Sequence, residues 1–584
     1  MNRLILLNDL YLGRYCLRQL DARLRKREKK IGGRALDDVP VNACADPPEG
    51  SIHTHRFLEA YRVTLAQQND LKAKWSNRRA ADDGQPLGAA LAPTPQLQQL
   101  YPGRIRAFVE SYSATVGEIN RQSRTVLNSL LTKKEGAVLN GLLIIKGRIV
   151  FFDLIEYING GLRLTLLKND AKIKTNYYID VAWAVQGLLS AGYEIRESFL
   201  RLLNKKYRNA GHAQDSAGAQ GADSANSAQG ADNAGGTARG GEVDSSLFIE
   251  HRVSRRHKFM RRPVENLFEE MEKSLALFSL PHCGHNSCTF CATEVLPSVD
   301  DVRSLYRSAG LHSLLKQQGI ERISELTEIS LPLKQKIKHQ HWIQYRAVVE
   351  GREQINDGYI RKFLDSLEWP LFFLDFECFL EALPAWKSAG VWEHIPFLYS
   401  LHTMRADMQV RKVGHYLIEN GVDRRRELAA CLTGALPDRG SVLVYGITLE
   451  RRSLAHLALA VPELSGELRA LTQRLVDLQT LFADFAYYHP RQNGKIGLKT
   501  LFSLLNKQEY PQDQIASGVE AFVGYYYLMY PDIPIPWDTH ADRVRNDPEK
   551  FFREVVSYCD IDSSAIAYII QALIEKSSWT GYIR

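Results

Sequence analysis

The chain has 584 residues, a length typical of three or four domains. Hydrophobic residues make up 45% of it, so packed cores are expected and a wholly disordered chain is excluded. Lysine and arginine outnumber the acidic residues by 74 to 67, and this mild positive charge permits a nucleic-acid partner without requiring one. The first residues show no export signal and no apolar run is long enough to span a membrane, which predicts a cytoplasmic protein without a membrane partner.

The N-terminal part is predicted to fold around a small sheet. Residues 1–130 have mostly helical patterns, with a loop at 80–95. Three apolar runs between residues 135 and 170, GAVLNGLLII, RIVFFDLIEY and LRLTLLK, are separated by glycine-containing turns and predict three successive strands. A helix is predicted over 178–191, with more helix to about residue 205.

The stretch 210–241 differs from the rest in composition. It contains mostly Ala, Gly, Ser, Asp, Asn and Gln, with no large apolar side chain. Such a segment cannot bury enough surface to offset its chain entropy, so we expect a disordered insertion. Because the patterns on both sides are typical of folded protein, the insertion is predicted to lie within a domain rather than between domains.

Three closely spaced cysteines predict a metal or iron–sulfur site. They are Cys283, Cys288 and Cys291. In a reducing cytoplasm such a cluster favours a metal over disulfides, and Cys16 is the best candidate for a fourth ligand. One early and three late cysteines resemble the arrangement in RecB-type nucleases, in which a [4Fe–4S] cluster joins the two ends of the nuclease domain. Zinc is the alternative, with His282 or His285 in place of a thiolate. The remaining cysteines, expected to be ordinary packed or partly exposed residues, are Cys44, Cys378, Cys431 and Cys559.

The resemblance to RecB-type PD-(D/E)xK nucleases implies a site on the predicted strands. Asp153 matches the first carboxylate of that family, and Lys168 matches its lysine. The family has a glutamate two residues before that lysine, where this chain has Leu166, and Ala184 stands where the family commonly has glutamine. A site that lacks one of its main carboxylates should bind Mg²⁺ poorly, so we expect a degenerate nuclease domain retained for structure or nucleic-acid binding. The acids that offer compensation, the less favoured alternative, are Glu156 and Asp170.

The second half begins with a helical stretch and continues as an α/β pattern. Residues 299–368 are helical and polar, as in a connector or a small partner-binding module. From residue 369 strands and helices alternate, which is typical of an α/β domain. WPLFFLDFECF predicts a buried strand, SVLVYGIT a second strand and ERRSLAHLALA a helix, and further helices are predicted over 464–488 and 548–576.

Carboxylates recur at the ends of these elements. Asp375 and Glu377 lie two residues apart on a strand, so they face the same side. Adjacent carboxylates repel one another unless a cation lies between them, and pairs of divalent cations activate water in phosphodiester-cleaving sites. Glu450 opens a helix after the second strand. Tyr558 precedes Asp562 by four residues, a spacing that puts both side chains on one helix face.

This set, DxE, then a strand-to-helix acid, then YxxxD, resembles the DEDD exonucleases of the RNase H-like superfamily in their tyrosine-containing variant. The resemblance implies that Asp375, Glu377, Glu450 and Asp562 hold two Mg²⁺ or Mn²⁺ ions and that Tyr558 orients the attacking water. Glu450 is a departure, because the family usually has the shorter aspartate there.

A more specific resemblance spans roughly two hundred residues. The motifs FFLDFECF, LPAW, IPFLYSLH, VLVYGITLE, VDLQTLF, GLKTLF and SYCDID resemble, in order, the bacterial family known as domain of unknown function 2779. That family usually has Asn where this chain has Gly446 and Thr where it has Ser563. Asp477 is expected to cap a helix or support the site rather than bind metal directly. His402 and Lys499 are candidates for phosphate contact, although each is more often a structural residue.

Together these patterns predict three regions and one main activity. Residues 1–295 are predicted to be a degenerate RecB-like PD-(D/E)xK domain, 299–368 a helical connector, and 369–584 a DEDD exonuclease-like domain with an RNase H-like fold. The predicted function is metal-dependent 3′–5′ exonucleolytic hydrolysis of DNA or RNA. The alternative is a non-catalytic nucleic-acid-binding or assembly protein in which both nuclease folds have decayed, and fold alone does not decide between them.

Overall fold

The protein has a mixed α/β structure with two five-stranded sheets. The computed structural model describes residues 63, 66–67, 116–145, 148–209, 246–254, 266, 298–308, 310–328, 334–419, 421–510, 515, 517–530, 539–577 and 579. Four predictions lie outside these residues: the loop at 80–95, the insertion at 210–241, most of the helical region 1–130 and the cluster of Cys16, Cys283, Cys288 and Cys291. In the described part of the chain, no helix combines the length and the apolar character that crossing a membrane requires.

The N-terminal sheet confirms the three predicted strands. Its strands are β1 (Ala137–Ile145), β2 (Arg148–Ile158), β3 (Gly161–Leu167), β4 (Ile195–Leu203) and β5 (Phe248–Arg252), in that spatial order. Only β3 and β4 are parallel; the other neighbours are antiparallel. The helices are α1 (Val116–Lys133), which precedes the sheet, and α2 (Thr175–Ser190), which confirms the predicted helix and connects the parallel pair. Parallel neighbours need such a crossover, and the apolar face of α2 shares one core with the sheet.

The prediction of further helix to about residue 205 is wrong, because β4 occupies Ile195–Leu203. Its residues pair with β3 on one side and with β5 on the other. This strand is therefore stabilised by long-range pairing, which a local pattern of mixed polar and apolar residues does not reveal.

The stretch between the two sheets contains the helices expected there. They are α3 (Leu311–Gln317), α4 (His339–Glu350) and α5 (Asp357–Asp365), with 3₁₀ turns at Val302–Ser304 and Ile323–Glu328. A two-residue strand, β6 (Gln354–Ile355), was not predicted. Ile360 and Leu364 of α5 lie in the same core as the C-terminal sheet, so the last helix of the connector packs as part of that layer.

The C-terminal sheet has its longest buried strand at its centre. Its strands are β7 (Leu371–Glu381), β8 (Glu393–Met404), β9 (Val410–Leu417), β10 (Val442–Val444) and β11 (Leu475–Asp477). The spatial order is β11-β10-β7-β8-β9, with β7, β8 and β9 antiparallel and with β10 and β11 parallel to β7. Because β7 has neighbours on both sides and helices over both faces, almost all of its residues are buried, and it reads as a continuous apolar run interrupted by acids.

Helices cover both faces of this sheet. They are α6 (Arg425–Ala435), α7 (Thr448–Ala460), α8 (Ser465–Gln473), α9 (Gln479–Ala483), α10 (Leu498–Asn506), α11 (Gly518–Met529), α12 (Thr539–Asn546) and α13 (Pro548–Lys576). Phe372 and Leu374 of β7 lie in one core with α6, α7 and α8, whereas Leu371 and Phe373 lie in a second core with α10 and the later part of α13. The prediction of helix throughout 464–488 is wrong, since β11 and the short strand β12 (Tyr487–Tyr488) interrupt it.

The two sheets meet through the connection between β7 and β8. Arg208 and Gly390 form an isolated antiparallel bridge. The indole N–H of Trp392 donates a hydrogen bond of 2.7 Å to the carbonyl of Asn169. The hairpin that begins with the central strand of the C-terminal sheet therefore also contacts the N-terminal sheet.

Candidate active site

The central strand β7 provides the first two acids. Alternation along the strand puts Asp375 on the face that packs against α13, and the Cys559 thiol of that helix donates to Asp375 Oδ2 at 3.4 Å. Glu377 is 7% exposed. The pairing of β7 with β8 shifts register directly after Glu377, a bulge of the kind that redirects side chains next to sites.

Glu450 reaches the site from the first turn of α7. It is 3% exposed, and among the described residues its Oε2 has no hydrogen-bond partner. The turn before α7 is held by Asp477, whose Oδ1 accepts hydrogen bonds from the backbone N–H groups of Gly446 at 3.0 Å and Gln479 at 2.9 Å. Asp477 therefore joins the start of α9 to the turn that precedes α7 and Glu450.

The conformation of Gly446 explains the residue types at that position. Its φ of +91° lies in the left-handed region, where glycine has no steric penalty and asparagine is tolerated better than most residues. A Cβ atom there would meet no other atom closer than 3.9 Å, so space does not require glycine. Backbone conformation thus accounts for glycine at position 446 and would also allow asparagine.

Asp562 lies on α13 beside two tyrosines. Tyr510, from the segment after α10, donates a hydrogen bond to its carboxylate. Tyr558 is one turn earlier on the same helix and close enough to oppose the rise that burial causes in the pKa of Asp562. The Lys499 ammonium lies over both rings, 4.8 Å from the centroid of Tyr558 and 5.4 Å from that of Tyr510. This puts a cation next to the acids, at one of the two positions proposed for phosphate contact.

The acids lie close enough to change one another's ionisation. Burial raises the pKa of Asp375 well above its ordinary value, and the carboxylates of Asp562, Glu377 and Glu450 raise it further. Burial raises the pKa of Glu377 to about 8, with Asp562 adding to the rise and Lys499 opposing it. The pKa of Glu450 is raised to about 8, again mainly by burial. Asp375 of β7 therefore lies within electrostatic range of Glu377 on the same strand, Glu450 of α7 and Asp562 of α13.

A buried group of carboxylates needs compensating positive charge. Lys499 supplies one positive charge, within electrostatic range of Glu377 and Asp562. In the described part of the chain, however, no group of three or more His, Cys, Asp or Glu side chains is arranged so that it could hold a metal ion. In chemical type the four acids are compatible with Mg²⁺ or Mn²⁺, which prefer oxygen donors, and Glu450 Oε2 has no hydrogen-bond partner among the described residues.

His402 has a structural environment instead. It is buried, and its Nδ1 lies 2.9 Å from Ser563 Oγ, which in turn lies 2.9 Å from Ser400 Oγ. Ser400 also donates to Asp560 at 2.6 Å. This network joins β8 to α13 next to Asp562. His402 is therefore engaged with α13 through Ser563.

Three residues near the acids were not identified as site residues from sequence. Tyr510 hydrogen-bonds Asp562, Cys559 contacts Asp375, and Gly518 approaches Glu377. Cys559 was expected to be an ordinary packed residue, and its neighbour Tyr558 was the only signal near it. No local motif marks Tyr510 or Gly518, because both depend on how α10 and α11 pack.

The candidate site of the N-terminal sheet is occupied by internal contacts. Asp153 is buried within β2 and accepts a hydrogen bond of 2.7 Å from the backbone N–H of Leu167. Lys168 forms an ion pair of 2.5 Å with Asp180 of α2. Leu166, which stands in place of the family's glutamate, lies in the hydrophobic core. The predicted lysine is thus paired with a helical acid that sequence reasoning did not single out.

Both acids proposed for compensation lie beside basic residues. Glu156 lies 3.7 Å from Arg163 and is three residues from Asp153 on a strand, so it faces the opposite side. Asp170 pairs with Lys174 at 2.8 Å.

Comparison with known proteins agrees with one part of the resemblance. Residues 372–497 match the family model described as Domain of unknown function (DUF2779), which supports the family similarity inferred from the motifs. The matched stretch includes Asp375, Glu377 and Glu450 and ends before Tyr558 and Asp562. No curated protein and no solved structure matches the chain.

Proposed function

We propose that this protein is a metal-dependent phosphodiester hydrolase, a 3′–5′ exonuclease of the DEDD type that acts on DNA or RNA. The observation that supports this proposal most directly is that Asp375 lies within electrostatic range of Glu377, Glu450 and Asp562, which come from three different elements. The mixed sheet, with three antiparallel strands followed by two parallel ones, is compatible with an RNase H-like fold.

The four carboxylates are the proposed ligands of two Mg²⁺ or Mn²⁺ ions. When bound, such ions lower the pKa of the attacking water and stabilise charge on the leaving oxygen. Their positive charge also offsets the repulsion that raises the pKa of Asp375 in this buried group. The orphaned Oε2 of Glu450 supports a role as a ligand, since a buried carboxylate oxygen without a partner is costly.

The residues around the acids have separate proposed tasks. Tyr558, on the same helix face as Asp562, orients the attacking water. Lys499 holds the scissile phosphate, because its ammonium lies over the two tyrosine rings beside the acids and its stem is half-buried, which limits its freedom. A positive charge fixed before substrate arrives stabilises the developing negative charge without reorganisation.

The N-terminal half is proposed to be an inactive RecB-like domain that binds nucleic acid. The ion pair between Lys168 and Asp180 supports the proposed inactivity, because it holds the lysine that matches the family's catalytic lysine against a helix. A [4Fe–4S] cluster on Cys16, Cys283, Cys288 and Cys291, with Zn²⁺ as the alternative, remains a proposal from sequence for residues outside the described part.

The test is cleavage of end-labelled single-stranded DNA and RNA by the full-length protein with Mn²⁺. Asp375→Asn should abolish cleavage, whereas the matched Asp407→Asn, at an exposed ion pair with Arg411, should leave it unchanged. Release of mononucleotides from the 3′ end is expected. If the wild-type protein leaves every substrate intact but binds it, the non-catalytic alternative replaces the proposal.

A further inference from the structure

Tyr510 is a second tyrosine on the Asp562 carboxylate. Its hydroxyl donates to Asp562 Oδ1 from a position four residues beyond the end of α10. Tyr558 also lies close to this carboxylate, but on the same helix, so it moves with Asp562. Tyr510 is thus the donor that reaches Asp562 from a different element.

The ring of Tyr510 is held in place independently of α13. It packs edge-on against Phe502 of α10, with ring centroids 5.3 Å apart and an angle of 83° between the planes. On another side the Lys499 ammonium lies over it. Because Lys499 and Phe502 both belong to α10, the position of the Tyr510 hydroxyl is set by that helix.

A carboxylate on a helix rotates about its side-chain bonds unless a neighbour fixes it. An ionised carboxylate has roughly four lone pairs that accept hydrogen bonds or bind a cation. The single hydrogen bond from Tyr510 therefore leaves lone pairs of Asp562 available to a cation. Residues that orient ligands in this way typically change metal affinity or activity by about 10–100-fold when removed.

We propose that Tyr510 is a positioning residue that holds the Asp562 carboxylate in the orientation in which a divalent cation binds. This inference rests on the proposed function and gives the two tyrosines different roles. Tyr510 acts on cation binding through Asp562, whereas Tyr558 acts on the attacking water. Loss of the Tyr510 hydroxyl is therefore compensated by more cation, and loss of the Tyr558 hydroxyl is not.

The experiment measures Mn²⁺ binding to the full-length protein without substrate, by electron paramagnetic resonance of free Mn²⁺. Tyr510→Phe keeps the ring and should weaken binding about 10–100-fold. The matched control is Tyr568→Phe, since Tyr568 packs on the same Phe502 ring at 6.2 Å but is 40% exposed. It should bind Mn²⁺ like the wild type. Equal circular dichroism and melting temperatures establish that both variants fold.

Two further measurements separate positioning from a merely structural role. Raising Mn²⁺ should restore cleavage by Tyr510→Phe but not by Tyr558→Phe. In a double-mutant cycle, Tyr510→Phe should weaken binding little further once Asp562→Asn is present.

Mn²⁺ affinity equal in the wild type and Tyr510→Phe overturns this inference and leaves the proposed function standing. Additive losses in the double variant also overturn it, because Tyr510 would then act through another group. A wild-type protein that binds no Mn²⁺ overturns the proposed function itself.

Discussion

Gly518 lies so close to Glu377 that a Cβ atom on it would stand 3.2 Å from the carboxylate oxygen Oε2. Gly518 is the first residue of α11, and its backbone is not in the left-handed region. A side chain at position 518 would therefore press on the acid, whereas the backbone conformation there does not itself favour glycine.

Gly518→Ala should lower cleavage without lowering stability. The added methyl group pushes the Glu377 carboxylate by a few tenths of an ångström, and a loss of roughly 3–10-fold in kcat is expected, since a displacement of about 1 Å costs about 10²-fold. Alanine favours helix over glycine, by up to about 1 kcal/mol in a helix interior, so the melting temperature should not fall. Gly466→Ala, near the start of α8 with no atom within 4 Å of the added Cβ, is the control. Equal kinetics for both variants would contradict the role of this contact.

Glu450→Gln should raise the stability of the metal-free protein while abolishing activity. Burial raises the pKa of Glu450 to about 8 from its ordinary value of 4.5, so the folded state prefers the protonated form. A raised folded-state pKa gives stability that is complete below about pH 4.5 and is lost as pH rises through about 8. Glutamine mimics the neutral form, so the gain should be largest near pH 8.

The measurement is thermal unfolding in EDTA from pH 5 to 8. The wild-type melting temperature should fall over this range more steeply than that of Glu450→Gln. Each 1 kcal/mol of unfolding free energy corresponds to a shift in melting temperature of roughly 2–4 °C for a domain of about 150–250 residues. Parallel curves for the two proteins would show that Glu450 is not the group responsible. Saturating Mn²⁺ should reverse the order of stability, because the cation favours the charged acid.

The elements that could be predicted from sequence are those with long local patterns. β7 and α13 follow from an apolar run and from 29 residues of helical pattern, and strand alternation alone puts Asp375 and Glu377 on one face. The local pattern predicts helix at β11, which has three residues, and at β4, because pairing with distant strands decides both. Tyr510 could not be identified from sequence for the same reason, since its hydrogen bond to Asp562 joins residues 52 positions apart.

Lys499→Gln should weaken both cleavage and single-strand binding. Its charge opposes the rise that burial causes in the pKa values of Glu377 and Asp562, so its removal also favours protonation of these acids. Loss of one fixed donor to the reacting phosphate should cost about 10²–10³-fold in kcat. The slope of log affinity against log salt should become shallower by about 0.7, because the variant neutralises one phosphate fewer. Lys495→Gln, an exposed lysine four residues earlier, is the control and should change neither quantity. An unchanged salt slope in Lys499→Gln would exclude the phosphate contact.

The N-terminal site should contribute no cleavage of its own. Lys168 is paired with Asp180, Leu166 provides no carboxylate, and Glu156 faces away from Asp153. In full-length Asp375→Asn, no Mn²⁺-dependent cleavage of DNA or RNA should therefore remain. Residual cleavage that disappears when Asp153→Ala is added would show that the N-terminal sheet holds an active site after all.

A binding measurement on the same variant tests which half of the chain binds nucleic acid. If binding persists in Asp375→Asn and falls on truncation to residues 299–584, the N-terminal half binds substrate while the C-terminal acids cleave it.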